Sequence, residues 1–373
     1  MHAHRSRVIP VLRIALAAGA LTLGGLAIAP TANADVTGGA IAWGNGGAAS
    51  NATPADAKVG VSAIAVGPSG TFAALKNGRV IVWGNVSADQ DKVPTDAQSG
   101  VTAIAVGQGN VIAIKDGRAI AWGSNYYGGN TVPAEAQSGV TAVASGNYKM
   151  AAVTAGGKVV VWGYGDLTLP TDASSGVSAV AYGYNHVLAL KAGRVITWGT
   201  SFADLDKVPA DAQSGVSAIA AGGDVSMALK DGRVIAWGSN DYGQLSIPAP
   251  AQSGVVAIAV GQKHAMALKQ GQIITWGLDD WKQSTLPAEI GVNVLGIAAG
   301  GVTSMALIAP SATSASPTPT PSVTTKTPGV PSKATPAAPS RAKKTSIWCQ
   351  KGKVRVKVTA IKPKCKVGWK KVK

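Results

Sequence analysis

Apolar and polar positions alternate in short runs along residues 39–308, and glycine closes many of the runs. Gly100–Gly123, GVTAIAVGQGNVIAIKDGRAIAWG, is representative: one run reads V-x-A-I-A-x-G, a second ends in lysine, and a third ends in Trp-Gly. Period-two alternation between glycine-bounded ends predicts half-buried antiparallel strands rather than helix. Lys-Asp-Gly-Arg (Lys115–Arg118, Lys230–Arg233) separates the second run from the third. Its Asp-Gly accepts the positive φ that a two-residue hairpin needs. Beyond each Trp-Gly a loop leads to Val, Leu or Ile followed by proline, at Pro94, Pro133, Pro170, Pro209, Pro248 and Pro287. A residue without an N–H suits a sheet edge, so this segment is expected to be a weaker fourth strand.

The unit repeats. Trp-Gly recurs at Trp43, Trp83, Trp122, Trp162, Trp198, Trp237 and Trp276, at intervals of 36 to 40 residues. Self-similarity at such a period means a repeat architecture, and about four short strands per copy make a propeller blade. The N-terminal end offers only a third strand (Ala40–Gly44), and the C-terminal end only the first two (Leu295–Gly300 and Thr303–Ile308). Joined, the halves complete a blade. The expected fold is therefore all-β: a seven-bladed β-propeller over residues 35–308, closed by N- and C-terminal half-blades. An open solenoid is the alternative, but half-repeats with bare edges make poor caps. Because they recur in every copy, the seven tryptophans are expected to pack between blades.

Charge divides the chain further. The net charge is +16, yet residues 35–308 hold 16 Lys/Arg and all 18 Asp/Glu, while residues 341–373 hold 13 Lys/Arg and no acid. The repeat body is thus no polyanion binder by charge, and no nucleic-acid partner is expected. Residues 1–34 read as an export signal: Arg5, Arg7 and Arg13 precede an apolar stretch, and Ala32-Asn33-Ala34 fits a small-x-small cleavage site. An uncleaved anchor is the other reading of that stretch. The mature chain is expected to be secreted, with retention at the cell envelope left open by the basic tail. Residues 309–340, rich in Ser, Thr, Pro and Ala, read as a disordered linker. Residues 341–373 read as a small β module in which Cys349 and Cys365 pair, as an exported chain would favour.

Comparison of the copies locates candidate function. In an up-and-down blade the first and third turns share one face, and the second turn and the inter-blade connector share the other. The second turn is nearly fixed (KNGR, KDGR, KAGR, KDGR, KQGQ), as is the connector (PTDAQSG, PAEAQSG, PADAQSG, PAPAQSG). The first turn (PSGT, QGN, NYK, YNH, GD, QKH, GV) and the third (NVSADQDK, SNYYGGNT, YGDLT, TSFADLDK, SNDYGQLS, LDDWKQST) vary freely. Individually written loops on a rigid frame are where recognition resides. Tyr126, Tyr127, Tyr148, Tyr164, Tyr184, Phe202, Tyr242 and Trp281 all fall in those variable turns, with Asp241 and Asp280 among them. Tyr and Trp are favoured anchors of protein interfaces. No nucleophile–base order, metal-ligand spacing or phosphate loop stands out. His186 and His264 occupy one equivalent repeat position, which favours a structural role. The expectation is a monomeric, non-catalytic binding protein with no cofactor and no metal.

The ALKDGRVIAWG and Trp-Gly pattern resembles the regulator-of-chromosome-condensation repeat, a seven-bladed propeller family, over residues 39–308. The connector TVPAEAQSGV (Thr131–Val140), with SNDYGQ, sharpens the resemblance toward the secreted, propeller-type (type II) β-lactamase inhibitory proteins. That resemblance implies a protein partner, a class A β-lactamase, covered by the loops of one face. It implies contact roles for Tyr148 and Tyr184 from first turns, and for Tyr126, Tyr127, Asp241, Tyr242, Asp280 and Trp281 from third turns. The linker and tail lie outside the resemblance. The tail leaves an anionic cell-wall polymer as a second possible partner.

Overall fold

The computed structural model describes residues 21–23, 37–45, 51–87, 89–165, 168–199, 203–310, 345–351, 354–360 and 370–372. The chain divides into two compact units, Met1–Ser314 and Ala315–Lys373. In the first unit, β1 is Leu21–Leu23 and β2 is Gly39–Gly44. The strands that follow fall into consecutive triplets. The first sheet holds β3 (Val61–Val66), β4 (Thr71–Lys76) and β5 (Arg79–Gly84). The second holds β6 (Val101–Val106), β7 (Asn110–Lys115) and β8 (Arg118–Gly123). The third holds β9 (Val140–Ser145), β10 (Lys149–Thr154) and β11 (Val159–Gly163). The fourth holds β12 (Val177–Tyr182), β13 (His186–Lys191) and β14 (Arg194–Gly199). The fifth holds β15 (Val216–Gly222), β16 (Val225–Lys230) and β17 (Arg233–Gly238), and β1 adds to β15 in parallel. The sixth holds β18 (Ala257–Val260), β19 (His264–Lys269) and β20 (Gln272–Gly277).

The two ends of the repeat region build the seventh sheet together. β21 (Val294–Gly300) and β22 (Thr303–Ile308) pair as a hairpin, and β2 joins β22 antiparallel from Gly39↔Ile308 to Gly44↔Thr303. This last sheet lies against the first: a side chain added at Gly300 would meet the Gly67 carbonyl oxygen at 2.6 Å. Within each of the first six sheets the three consecutive strands pair antiparallel in chain order. Asn77-Gly78, Asp116-Gly117, Asp231-Gly232 and Gln270-Gly271 all take positive φ at both positions, the geometry of a type I′ turn.

The expected fourth strand is replaced by a single 3-10 turn. It spans Ala55–Ala57, Thr95–Gln98, Ala134–Ala136, Thr171–Ser174, Ala210–Gln213 and Ala249–Gln252 in successive connectors. The proline before each turn is extended, but its carbonyl closes the turn instead of joining a ladder, as when Ala97 N–H donates to Pro94 O at 2.9 Å. With no N–H of its own, proline cannot continue a ladder. The third residue of each turn, an alanine, is buried between sheets.

The core is the space between sheets. One cluster joins the first and second sheets through Leu75, Ile104 and Trp122. Others join the second to the third, the third to the fourth and the fourth to the fifth, and the largest runs through the fifth, sixth, seventh and first. Alanine is frequent on the inner strands, where sheets approach closely and a small side chain fills the gap without overpacking.

In the second unit, β23 (Thr345–Lys351) pairs antiparallel with β24 (Val354–Ala360) and with β25 (Lys370–Val372). The Cys349–Cys365 pairing, the linker and most of residues 1–34 lie outside the described residues.

Candidate functional site

Among the described residues, backbone hydrogen bonds tie the two variable turns together in six of the seven sheets. The residue after Trp-Gly donates to a carbonyl of the first turn: Ser124 N to Gly109 O at 2.7 Å, Tyr164 N to Tyr148 O at 2.9 Å, Ser239 N to Asp224 O at 2.8 Å, and Leu278 N to Lys263 O at 2.9 Å. The approach is so close that a Cβ on Gly123 (φ +101) would overlap Gly109 O. The glycine of each Trp-Gly pair is therefore dictated by contact and by a φ that L residues rarely adopt. First and third turns thus share one face. The opposite face is clasped just as regularly. Arg79, Arg118, Arg194 and Arg233 each pair with an aspartate of the adjoining connector, at 2.7 to 2.9 Å. These guanidiniums hold Asp56, Asp96, Asp172 and Asp211 below the ordinary carboxylate range.

The tryptophans fasten the variable loops. Trp122 Nε1–H donates to Gln90 O at 2.8 Å, Trp162 to Gly129 O at 2.9 Å, Trp237 to Leu205 O at 3.2 Å, Trp276 to Gln244 O at 2.7 Å and Trp43 to Gln283 O at 3.0 Å. In every case the indole belongs to one sheet and the carbonyl to the loop of the sheet before it. The acceptor always stands four residues before the loop's proline. A carbonyl acceptor places no demand on side-chain identity, so loop sequence is free to vary while its anchorage is constant. These five rings are buried, whereas Trp83 and Trp198 are half-buried.

Buried glutamines, which composition and motif gave no reason to single out, add a second layer of support. Gln244 Oε1 accepts from Tyr242 N at 2.7 Å and Gln283 Oε1 from Trp281 N at 2.9 Å, each holding the backbone of an exposed aromatic residue. Gln90 accepts from Thr71 Oγ1 at 3.1 Å and Ser87 N at 3.1 Å. The only trace in the sequence is a glutamine at that same proline-minus-four position.

On this frame the aromatics stand exposed: Tyr126 is 79% exposed, Trp281 50%, and Tyr127, Tyr164, Tyr184 and Tyr242 40% or more. Four of the tyrosines meet. Tyr127 is the hub, with ring centroids 5.3 Å from Tyr126, 5.7 Å from Tyr148 and 4.4 Å from Tyr164. Tyr126 and Tyr127 come from the loop after β8, Tyr148 from the turn between β9 and β10, and Tyr164 from the loop after β11. Tyr148 sits at φ +53, a left-handed conformation that costs a non-glycine residue about 1 kcal/mol. Such strain persists where surroundings over-determine it and clusters at functional positions.

A second aromatic group lies on the fifth and sixth sheets. Lys263 Nζ donates to Tyr242 Oη at 2.8 Å and lies 4.2 Å from the ring centroid, which fixes that ring. Trp281 and Tyr184 have no ring partner among the described residues, and Phe202 lies outside them. Asp241 accepts from Ser239 Oγ at 2.9 Å, and Asp280 is exposed. Many neighbouring acids are engaged within their own loops. Asp89 pairs with Lys92 at 2.9 Å and Asp204 with Lys207 at 2.8 Å. Burial pushes the Asp279 carboxyl up, but bonds from Thr285 and Ser284 outweigh it and leave the group below its ordinary value. The aromatic rings are therefore the more available binding groups on this face.

The histidines face inward. His186 Nε2 shares a hydrogen bond with Ser226 Oγ, and His264 Nε2 one with Ser304 Oγ, both at 2.9 Å and both across to the next sheet. Each Nδ1 is buried without a partner among the described residues. Both sit in the wall between sheets.

A family model described as the regulator of chromosome condensation (RCC1) repeat matches residues 216–244, from β15 through the loop after β17. No curated protein matches the chain. Among solved structures, the crystal structure of Prp20p from Saccharomyces cerevisiae, reported with its binding to Gsp1p and histones, is similar at a TM-score of 0.59. It is 17% identical, over 79% of this chain and 94% of that one. Yeast RCC1 (Prp20) bound to Kap60 is similar at a TM-score of 0.56, with 16% identity over 84% and 97% of the two chains. Human WBSCR16 is similar at 0.53, with 18% identity over 72% and 98%. The chain thus carries an RCC1-like repeat on a β-propeller fold.

Proposed function

We propose that this chain is a secreted, non-catalytic binding propeller that inhibits class A β-lactamase-like enzymes by covering them with its variable face. The seven sheets form a closed ring in this reading, and export is followed by cleavage after Ala34. The observation that carries the proposal is the cluster of exposed Tyr126, Tyr127 and Tyr164 with half-buried Tyr148, on a face whose loops differ while the anchorage of five of them repeats. Exposed rings on a pre-organised backbone lose little entropy on binding. The reading also draws on the likeness of the connectors and SNDYGQ to the propeller-type inhibitors, and on the protein partners named for Prp20p. Tyr242, Trp281, Asp241 and Asp280 supply a second contact region and orient the partner.

The test is titration of the mature full chain into a panel of class A β-lactamases with a chromogenic cephalosporin. Saturable, stoichiometric inhibition is expected, weakened at least tenfold by Tyr127→Ala, with Trp281→Ala additive to it. Absence of inhibition at micromolar protein that melts cooperatively would rule the inhibitor reading out. A second reading rests on the 13 Lys/Arg of residues 341–373: the chain is held at an anionic cell-wall polymer through its tail. Truncation after residue 308 then abolishes envelope retention and leaves any inhibition intact.

A further inference from the structure

A cavity of about 230 Å³ opens on the variable face where the first turns of all seven sheets converge. Its wall is formed by the ends of the inner strands, aliphatic at Val66, Val106, Val260, Ala221 and Ala299, with Ser145 and the buried Tyr182 at the two remaining positions. Its rim carries Ser69, Gln108, Asn147, Tyr184 and Gln262, together with glycine backbone. Among the described residues no lysine, arginine, aspartate, glutamate or histidine lines it. The exclusion is selective. After the glycine that ends each inner strand, the first turn residues are Pro68, Gln108, Asn147, Tyr184, Gly223, Gln262 and Gly301, all uncharged. The residues that follow them include Asp224 and Lys263, which carry charge and stay out of the cavity.

Resting on the reading of this face as a protein-binding surface, we infer that the axial cavity receives an uncharged residue at the tip of a projecting partner loop. With β1 in place against β9, β12, β15 and β18, the volume of about 230 Å³ admits about one side chain with its flanking peptide. A wall aliphatic at five of its seven strand ends suits an aliphatic side chain, and amide side chains pair with the peptide groups on either side of it, both donating and accepting. A charged tip would be desolvated with no counter-charge among the lining residues, which disfavours it strongly. A neutral sugar would share the amides and the Tyr182 and Tyr184 rings, and glycan binding is therefore one of the outcomes tested. The ring geometry gives the inserted residue contacts from several sheets at once, the setting in which interface anchors are found.

The experiment selects a phage-displayed library of disulfide-closed seven-residue loops against the full chain, then measures the enriched loop as a free peptide. Loops with an uncharged apolar or amide tip are expected. Gln108→Trp and Gln262→Trp, which fill the mouth from exposed or half-exposed positions, should each weaken binding at least tenfold. Tyr127→Ala should change it less than twofold. Charged tips, failure to enrich any loop, or binding indifferent to both tryptophans would overturn the proposal. So would glycan binding that the tryptophans block. Failure of the inhibitor reading is separable: β-lactamases would go uninhibited while loop binding persists. Conversely, inhibition untouched by Gln108→Trp and Gln262→Trp would sink the cavity alone.

Discussion

At the scale of single residues, the buried histidines make the fold acid-sensitive. Burial lowers both His186 and His264 from 6.5 to about 4. A folded-state pKa below the unfolded one means the unfolded chain takes up protons first as pH falls. Stability is therefore complete above about 6.5, declines between about 6.5 and about 4, and loses nothing more from these groups below that. Each histidine accounts for roughly 3 kcal/mol over the window. Thermal melts at pH 7 and pH 4.5 should show the drop. The double variant His186→Gln/His264→Gln should begin less stable and follow a flatter pH profile. A wild-type profile flat from pH 7 to 4.5 would contradict the burial of neutral imidazoles. The equivalence of the two positions was legible in the sequence; the serines one repeat later were not, because that bond crosses between sheets.

At the scale of the element, the loops after β5, β8, β14, β17 and β20 are each held by an indole from the following sheet. Trp122→Phe keeps most of the ring's packing but removes the donor to Gln90 O. A buried acceptor left unpaired costs about 1–3 kcal/mol. Urea unfolding should report a loss in that range, with faster amide exchange confined to residues 85–93. A loss below about 0.5 kcal/mol would show that packing, not the hydrogen bond, fixes the loop. The strands and hairpins of each element were readable because alternation and Asn/Asp-Gly turns are local signals. The outer segment was misread as a strand because proline suits both a sheet edge and the start of a 3-10 turn. What separates the two is the burial of an alanine such as Ala97 between sheets, which is a tertiary matter.

At the scale of the whole molecule, the seventh sheet joins the two ends of the repeat region through β2. Deleting residues 35–44 removes one strand of three, exposes the β22 edge and removes Trp43 from its place over Gln283 O. A fall in Tm of more than about 5 °C is expected, together with a broader transition. Each kilocalorie lost shifts the midpoint of a domain of this size by roughly 2–4 °C. A truncated chain that melts like the intact one would mean that the seventh sheet does not depend on the N-terminal strand.

The sequence by itself determined the repeat, its seven Trp-Gly markers, the strand and hairpin content, and the division into a constant and a variable face. All of these follow from alternation, glycine placement and comparison of one copy with another. The tertiary structure decided which variable residues meet. Tyr127 touches Tyr148 and Tyr164, 21 and 37 positions away, because adjacent sheets bring their turns side by side. Tyr184 and Trp281, chemically alike in the sequence, stand apart from that cluster. The cavity also exists only where the seven sheets come together, since each contributes a few uncharged residues to it. A periodic sequence fixes the strands of each unit, whereas packing between units places the turns of different copies side by side.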